Sequence, residues 1–343
     1  MVLFGLLPDT PLLSVLVVVV ATGFIWLGSG WLESSAEHLS GYYGLPAVIQ
    51  GSVVVAVGSS FPELASVVFT ALAGVFEMGV GAIVGSAIFN ILVIPALAGI
   101  TTDGSVESNR TLVYKEAQFY MIAVSALIVT FALAVIYAPV EGSPLAGRLT
   151  RPIAAIPILL YGLYVFIQWQ DIGDHDAEVG GDVAVGRQWA TLVAGLAVIL
   201  VTVEQLVGAV ENLTHAFGIP TFLAGVVIVA AATSLPDTIV SVRAARGGRH
   251  VTSLGNVLGS NTFDLLVAVP LGVLIVGSAT VNFATAAPMM GVLTLATIVL
   301  FTVLRTDLEM SGIEAYALLA MYVLFVAWMV AETVGVTAVL RGT

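Results

Sequence analysis

The chain has 343 residues, 59% of them hydrophobic and only 9% charged, with a mean hydropathy of +1.08. Soluble domains carry about 25% charged residues, so the composition excludes a soluble enzyme or binding domain and points to an integral membrane protein. A formal net charge of −12 argues against a nucleic-acid partner, and the lack of cysteine rules out disulfides and thiolate metal sites.

Apolar runs long enough to cross a bilayer, about 20 residues each, fall roughly at 12–32, 45–73, 79–100, 113–138, 150–168, 189–211, 219–243, 254–277, 284–304 and 313–333. They predict an all-α, multi-pass membrane protein of about ten transmembrane helices embedded in the lipid bilayer. The first run follows neither a basic region nor a clear small-residue cleavage site, so it reads as a retained span, not a removed signal peptide. The acidic stretch around Asp171, Asp174, Asp176 and Glu178 reads as a solvated linker over 169–188, between segments 1–168 and 189–343.

Basic residues choose the orientation. With both termini extracellular, the cytoplasmic side holds Arg110, Lys115, Arg187, Arg243, Arg246, Arg249 and Arg305, and the other side only Arg148, Arg151 and Arg341. That split follows the excess of positive charge on cytoplasmic loops.

The two segments are related. Val55 to Glu63 returns as Val229 to Asp237, shifted by 174 positions, and the same shift matches Glu37 to Glu211, Gly44 to Gly218, Pro46 to Pro220 and Gly51 to Gly225. Further on it matches Gly81 to Gly255, Gly85-Ser86 to Gly259-Ser260, Phe89 to Phe263 and Leu92 to Leu266. Five spans separate the copies, an odd number, which predicts two five-helix repeats of inverted topology. Transporters built this way bind substrate near the midplane, where helices are interrupted.

The interruptions carry the chemistry. Pro62 has no N–H, which should free the Gly58 carbonyl; in lipid such a carbonyl costs several kcal/mol unless protein, water or an ion takes it up. Freed carbonyls, the hydroxyls of Ser59 and Ser60 and the Glu63 carboxylate are hard oxygen donors, and Thr233, Ser234, Pro236 and Asp237 repeat the set. Together they offer the oxygen shell that Ca²⁺ prefers. In the following spans Ser86 and Asn90 correspond to Ser260 and Asp264, four apart in each case and so on one helix face. An acid in mid-span costs about 2.5–3.5 kcal/mol, so Glu63, Asp237 and Asp264 cost roughly 8–10 kcal/mol with nothing bound, more than helix packing alone explains.

Other polar residues carry less. Glu204 breaks the repeat, its counterpart being Gly30; Glu37 and Glu211 match but fall at span ends; His38, His175, His215 and His250 have no metal-ligand spacing. Neither a His-Glu-x-x-His motif nor a Gly-x-Ser-x-Gly elbow nor a Walker loop is present. No enzyme and no cofactor are therefore expected.

At these residues the chain resembles the cation/Ca²⁺ exchanger superfamily. Gly58-Ser-Ser-Phe-Pro-Glu63 with Gly85-Ser-Ala-Ile-Phe-Asn90 is similar to its first alpha-repeat, and Ala232-Thr-Ser-Leu-Pro-Asp237 with Gly259-Ser-Asn-Thr-Phe-Asp264 to its second. The resemblance implies alternate binding of Ca²⁺ and Na⁺ by Glu63, Asp237, Asp264, Asn90, Ser59, Ser60, Thr233, Ser234, Ser86 and Ser260, joined by backbone carbonyls near Ala56 and Ala230. It also implies a gate formed by the first and sixth spans, and exchange by a single chain in a plasma membrane. Asp at position 237, where many relatives have Glu, resembles the K⁺-dependent branch. A Ca²⁺/H⁺ exchanger and, in a different class, a cation channel stay open as alternatives.

Overall fold

The computed structural model describes residues 10–44, 54, 56–102, 105–170, 183–337 and 339. Helices dominate: α1 (Pro11–Tyr42), α2 (Ala56–Ser59), α3 (Phe61–Ala73), α4 (Phe76–Thr101), α5 (Leu112–Tyr137), α6 (Arg151–Gln170), α7 (Val185–Phe217), α8 (Thr221–Thr233), α9 (Leu235–Arg246), α10 (His250–Val276), α11 (Phe283–Arg305) and α12 (Gly312–Thr333). Eight of these are individually long and apolar enough to cross a membrane, and α8 with α9 qualifies as a pair bent by 46°. The expected span at 45–73 is represented by α2 and α3, while 45–53 and 55, including Pro46 and Gly51, lie outside the described residues.

Several boundaries differ from the sequence reading. The first helix runs ten residues past 32 to Tyr42, and α7 begins at Val185, inside the segment read as linker. Hydropathy ends a span where apolar residues stop, but backbone hydrogen bonding continues the helix into the polar interface. Residues 171–182 of the linker lie outside the described residues.

The connections are not wholly irregular. Strand β1 (Val106–Glu107) pairs antiparallel with β5 (Glu309–Met310), and β3 (Ser143–Thr150) lies between β2 (Pro139–Val140) and β4 (Ser278–Asn282). Paired strands must share one face of the membrane. Between β1 and β5 the chain passes α5, α6, α7, the bent pair, α10 and α11; between β3 and β4 it passes α6, α7, the bent pair and α10. Both pairings give an even number of crossings only if the bent pair itself crosses. It is therefore a broken span and not a re-entrant loop. Helix α5 separates the two sheets, putting Arg148 and Arg151 on the face opposite Arg305, whose guanidinium lies 5.6 Å above the Tyr114 ring. The side chain of Arg151 is held by the Leu274 carbonyl at 2.9 Å.

Helix α4 is the centre of the molecule, with 83% of its most apolar window buried. It is buried along most of its length and apolar apart from a few residues such as Ser86 and Asn90, and it contacts α3, α8, α9, α10, α11 and α12. Glycine lets it approach α8 backbone to backbone: a Cβ at Gly85 would stand 2.7 Å from Val226 Cα. Small residues are the usual means of close helix approach in lipid, where the hydrophobic effect supplies little.

Helices α1 and α7 pack on each other through Gly28 and Gly195, where a Cβ on Gly195 would meet the Gly28 carbonyl oxygen at 2.7 Å. Their buried side chains form an apolar cluster separate from the main core, containing Ile25, Leu32, Ile199, Val203 and Leu206. The rest of the protein meets this pair through a mixed wall, in which Ala65, Ala82, Ala224 and Ala232 stand beside Met78, Val229 and Phe61.

Gly85→Val should destabilise the protein by about 1–3 kcal/mol or more, since the new methyls meet main chain and not a movable side chain. Gly162→Ala, with nothing within 4 Å, should be neutral or stabilising by up to about 1 kcal/mol. Thermal unfolding in detergent compares the two.

Candidate functional site

Both broken helices are interrupted at a serine. Ser60 separates α2 from α3 with φ −86° and ψ 5°, and Ser234 separates α8 from α9 with φ −80° and ψ −2°. These nearly equal angles lie in the bridge region that closes turns. The prolines act differently from the sequence expectation: Pro62 and Pro236 stand in the first turn of the second half-helix, where a missing N–H costs nothing. The break therefore falls two residues before each proline. Glu63 and Asp237 follow in those first turns, at the positive ends of their half-helix dipoles.

All of the side chains nominated from sequence are brought together and enclosed. Ser59, Ser60, Ser86, Asn90, Thr233, Ser234, Asp237, Ser260 and Asp264 have no exposed surface, and Glu63 is 1% exposed. Their contacts run mainly across the halves. Ser86 Oγ lies 2.6 Å from Ser234 Oγ and donates to Glu63 Oε1 at 3.4 Å. Asn90 Nδ2 donates to Asp237 Oδ2 at 3.1 Å and to Asn261 Oδ1 at 3.0 Å. Ser59 and Ser260 also face Asp237, and Thr233 faces Glu63. Ser60 is directed toward Asp264 without closing a hydrogen bond.

In this cluster uncommitted acceptors outnumber the uncommitted donor, Ser60 Oγ. Among the described residues, Glu63 Oε2, Asp237 Oδ1, both Asp264 oxygens and Asn90 Oδ1 are buried and accept no hydrogen bond. A buried unpaired acceptor costs about 1–3 kcal/mol, and more if charged. Such a set is matched by a cation. Among the described residues no three Asp, Glu or His side chains form a ready-made metal centre; the cluster is mixed, one acid to a wall with hydroxyls and amides between. The Ala230 carbonyl is not free as expected, because it accepts from Ser234 N at 3.0 Å and from Thr233 Oγ1 at 3.4 Å. Ala56 lies in α2, directly before the first break.

Helix α10 differs from α4 at its acid. Asp264 opens a π turn, Asp264–Ala268, within a span whose counterpart is α-helical over Phe76–Thr101. The repeat shift is 174 at Phe89 and Phe263 but 175 at Pro95 and Pro270. One extra residue therefore enters α10 at this turn, as expected for a π-bulge.

Sequence reasoning missed Asn261 and Glu33. Asn261 Nδ2 donates to Ala87 O at 3.2 Å and to Tyr120 Oη at 3.4 Å, fixing the amide that receives Asn90. Its repeat counterpart is Ala87 itself, so matching the halves overlooked it. Glu33 on α1 matches Val207 and was overlooked for the same reason, and because it stands just past the apolar run ending at 32, where a polar stretch begins. Glu204 is buried, Glu37 exposed, and His250 Nδ1 accepts from Glu107 N at 3.2 Å, away from the site.

Residues 13–170 and 187–331 match the family model described as sodium/calcium exchanger protein. The chain is 24% identical over 348 aligned positions to the sodium/calcium exchanger MaX1 of Methanosarcina acetivorans, covering 90% of this chain and 96% of that one. A shorter stretch of 102 residues is 40% identical to sodium/potassium/calcium exchanger 3 of Homo sapiens, covering 29% of this chain and 15% of that protein. The solved structure of the sodium-calcium exchanger NCX_Mj superposes with a TM-score of 0.63 at 21% identity, over 93% of this chain and 99% of that chain, a likeness of fold.

Asp264→Asn removes the acid with two uncommitted oxygens. In chelator its thermal unfolding midpoint should exceed that of the wild type, by the equivalent of about 1–3 kcal/mol, and the rise on adding Ca²⁺ should shrink or vanish. An unchanged midpoint in chelator would mean that the carboxylate is already compensated.

Proposed function

Because this chain belongs to the sodium/calcium exchanger family, we propose that it is a secondary-active antiporter exchanging Ca²⁺ for Na⁺ across the plasma membrane, with both termini outside. The observation that carries this reading is the excess of buried, uncommitted oxygen acceptors over donors at two facing helix breaks. Glu63, Asp237 and Asp264 supply the charge; Asn90, Ser59, Ser60, Thr233, Ser234, Ser86 and Ser260 supply neutral oxygens. The carbonyls of Ala56 and Ala230 join by exchanging a helical hydrogen bond for the ion.

Ca²⁺ and Na⁺ compete for overlapping oxygens, so the loaded forms exclude one another and exchange needs no chemical step. An ion shifts the balance of two conformations only through its differential affinity for them. With the acids neutralised by cargo, the α1–α7 pair slides past the core along their apolar seam, the small shear displacement that packed helices permit. With the acids bare, movement would drag uncompensated charge past apolar walls. The cluster is complete within one chain, which favours a single-chain carrier over a channel ring assembled by oligomeric symmetry.

K⁺ cotransport is a second reading with its own support. Asp237 is one methylene shorter than glutamate, leaving room for a larger ion or a water, and a 102-residue stretch is 40% identical to a relative named for sodium, potassium and calcium.

Reconstituted protein should take up ⁴⁵Ca²⁺ when a Na⁺ gradient is imposed, and Glu63→Gln should reduce that flux at least about a hundredfold while remaining folded. Normal flux in Glu63→Gln would refute the site. Uptake driven by a pH gradient in Na⁺-free vesicles would replace Na⁺ by H⁺ as the coupling ion, and indifference to K⁺ would reject cotransport.

A further inference from the structure

Helix α1 contributes one acid that the repeat does not explain. Glu33 matches Val207 on α7, so only one of the paired long helices bears a carboxylate here. Its Oε1 is buried and accepts no hydrogen bond among the described residues. Its side chain lies against Gly58, where a Cβ would stand 3.7 Å from Glu33 Cγ. Gly58 is in the last turn before the Ser60 break, and α1 also contacts α8 and α9, which flank the Ser234 break. Gly58 adjoins Ser59, which faces Asp237, and Asp237 Oδ1 is fully buried and uncommitted.

Glu33 Oε1 and Asp237 Oδ1, neither of which accepts a hydrogen bond, stay uncompensated unless a cation sits with them. Glu33 and Asp237 differ in what carries them. Asp237 belongs to the broken helix at the core, while Glu33 is carried by α1 of the α1–α7 pair. Nine residues separate Glu33 from the end of α1 at Tyr42, roughly 14 Å of helix, so the acid stands between the enclosed site and that membrane face.

We propose that Glu33 and Asp237 form a second cation position, on the approach to the central site from the face reached by the C-terminal end of α1. The ligand is the same class of hard cation, and the inference rests on the exchange reading above. A cation entering from that face meets Glu33 first and is handed to Asp237; a cation from the other face reaches Glu63 and Asp237 without it. Glu33 thereby makes the two faces unequal in apparent affinity.

The test measures Na⁺-dependent ⁴⁵Ca²⁺ flux in membrane vesicles of both orientations, with Ca²⁺ varied on one face at a time. Glu33→Gln should raise the apparent KM for Ca²⁺ at the α1 C-terminal face on the order of tenfold, leaving KM at the other face within about twofold and kcat largely retained. Glu33→Asp should recover part of the loss. An unmoved KM at both faces overturns the proposal while leaving exchange intact, as does a fall in kcat and thermal midpoint without a change in KM. Wild-type vesicles without Na⁺-driven flux overturn the exchange reading itself, whatever Glu33 does.

Discussion

Carboxylates held inside a hydrocarbon slab must be met by donors or by positive charge, and the rest of the architecture answers to that demand. Continuous helices have no spare backbone groups to offer, so the chain breaks two of them. The breaks at Ser60 and Ser234 place Glu63 and Asp237 on half-helix N-termini, where the backbone contributes partial positive charge. Serine and asparagine on α4 then reach across to the opposite break. The donors satisfy some of the carboxylate oxygens and leave others unmatched. That incomplete satisfaction makes the cluster a binding site and not merely glue between helices.

Close packing is what allows so few donors to serve both breaks. Gly85 on α4 brings Val226 of α8 nearer than any larger side chain would permit, and Ser86, the next residue, therefore bridges Ser234 and Glu63 at once. The α1–α7 pair is joined differently. Its apolar cluster also takes in Met78 and Val229 from the core, beside alanines at 65, 82, 224 and 232, so a shift of the two bodies slides large side chains as well as small ones.

The cluster was legible in the sequence because its cost was visible twice. Acids, hydroxyls and prolines inside apolar runs are conspicuous, and the 174-residue shift showed which to pair. What the sequence concealed depended on three-dimensional accommodation. A proline signals a break without saying on which side it falls, and here the chain yields at the serine two positions earlier. Hydropathy ends α1 too soon because polar residues at the interface continue its hydrogen bonds. Asn261 and Glu33 were passed over because pairing the halves discards whatever appears in only one of them. The small sheets were missed for another reason: strands as short as Val106–Glu107 carry no periodic pattern, and their existence follows from loops meeting at one membrane face.

The π turn at Asp264 bears on how alike the halves can be. A residue inserted into an α-helix rotates everything beyond it by about 100°, which would have carried Pro270 and the remainder of the span off their packed faces. The widened turn confines that rotation to a few residues, so the ancestral pattern resumes in phase by Pro270 while the aspartate alone is redirected. A duplicated gene gaining one codon here could thus remodel an ion ligand without disturbing the surrounding bundle. The pseudo-twofold axis is broken at a residue that differs in charge from its twin Asn90, and interchanging the two halves would not return an identical molecule.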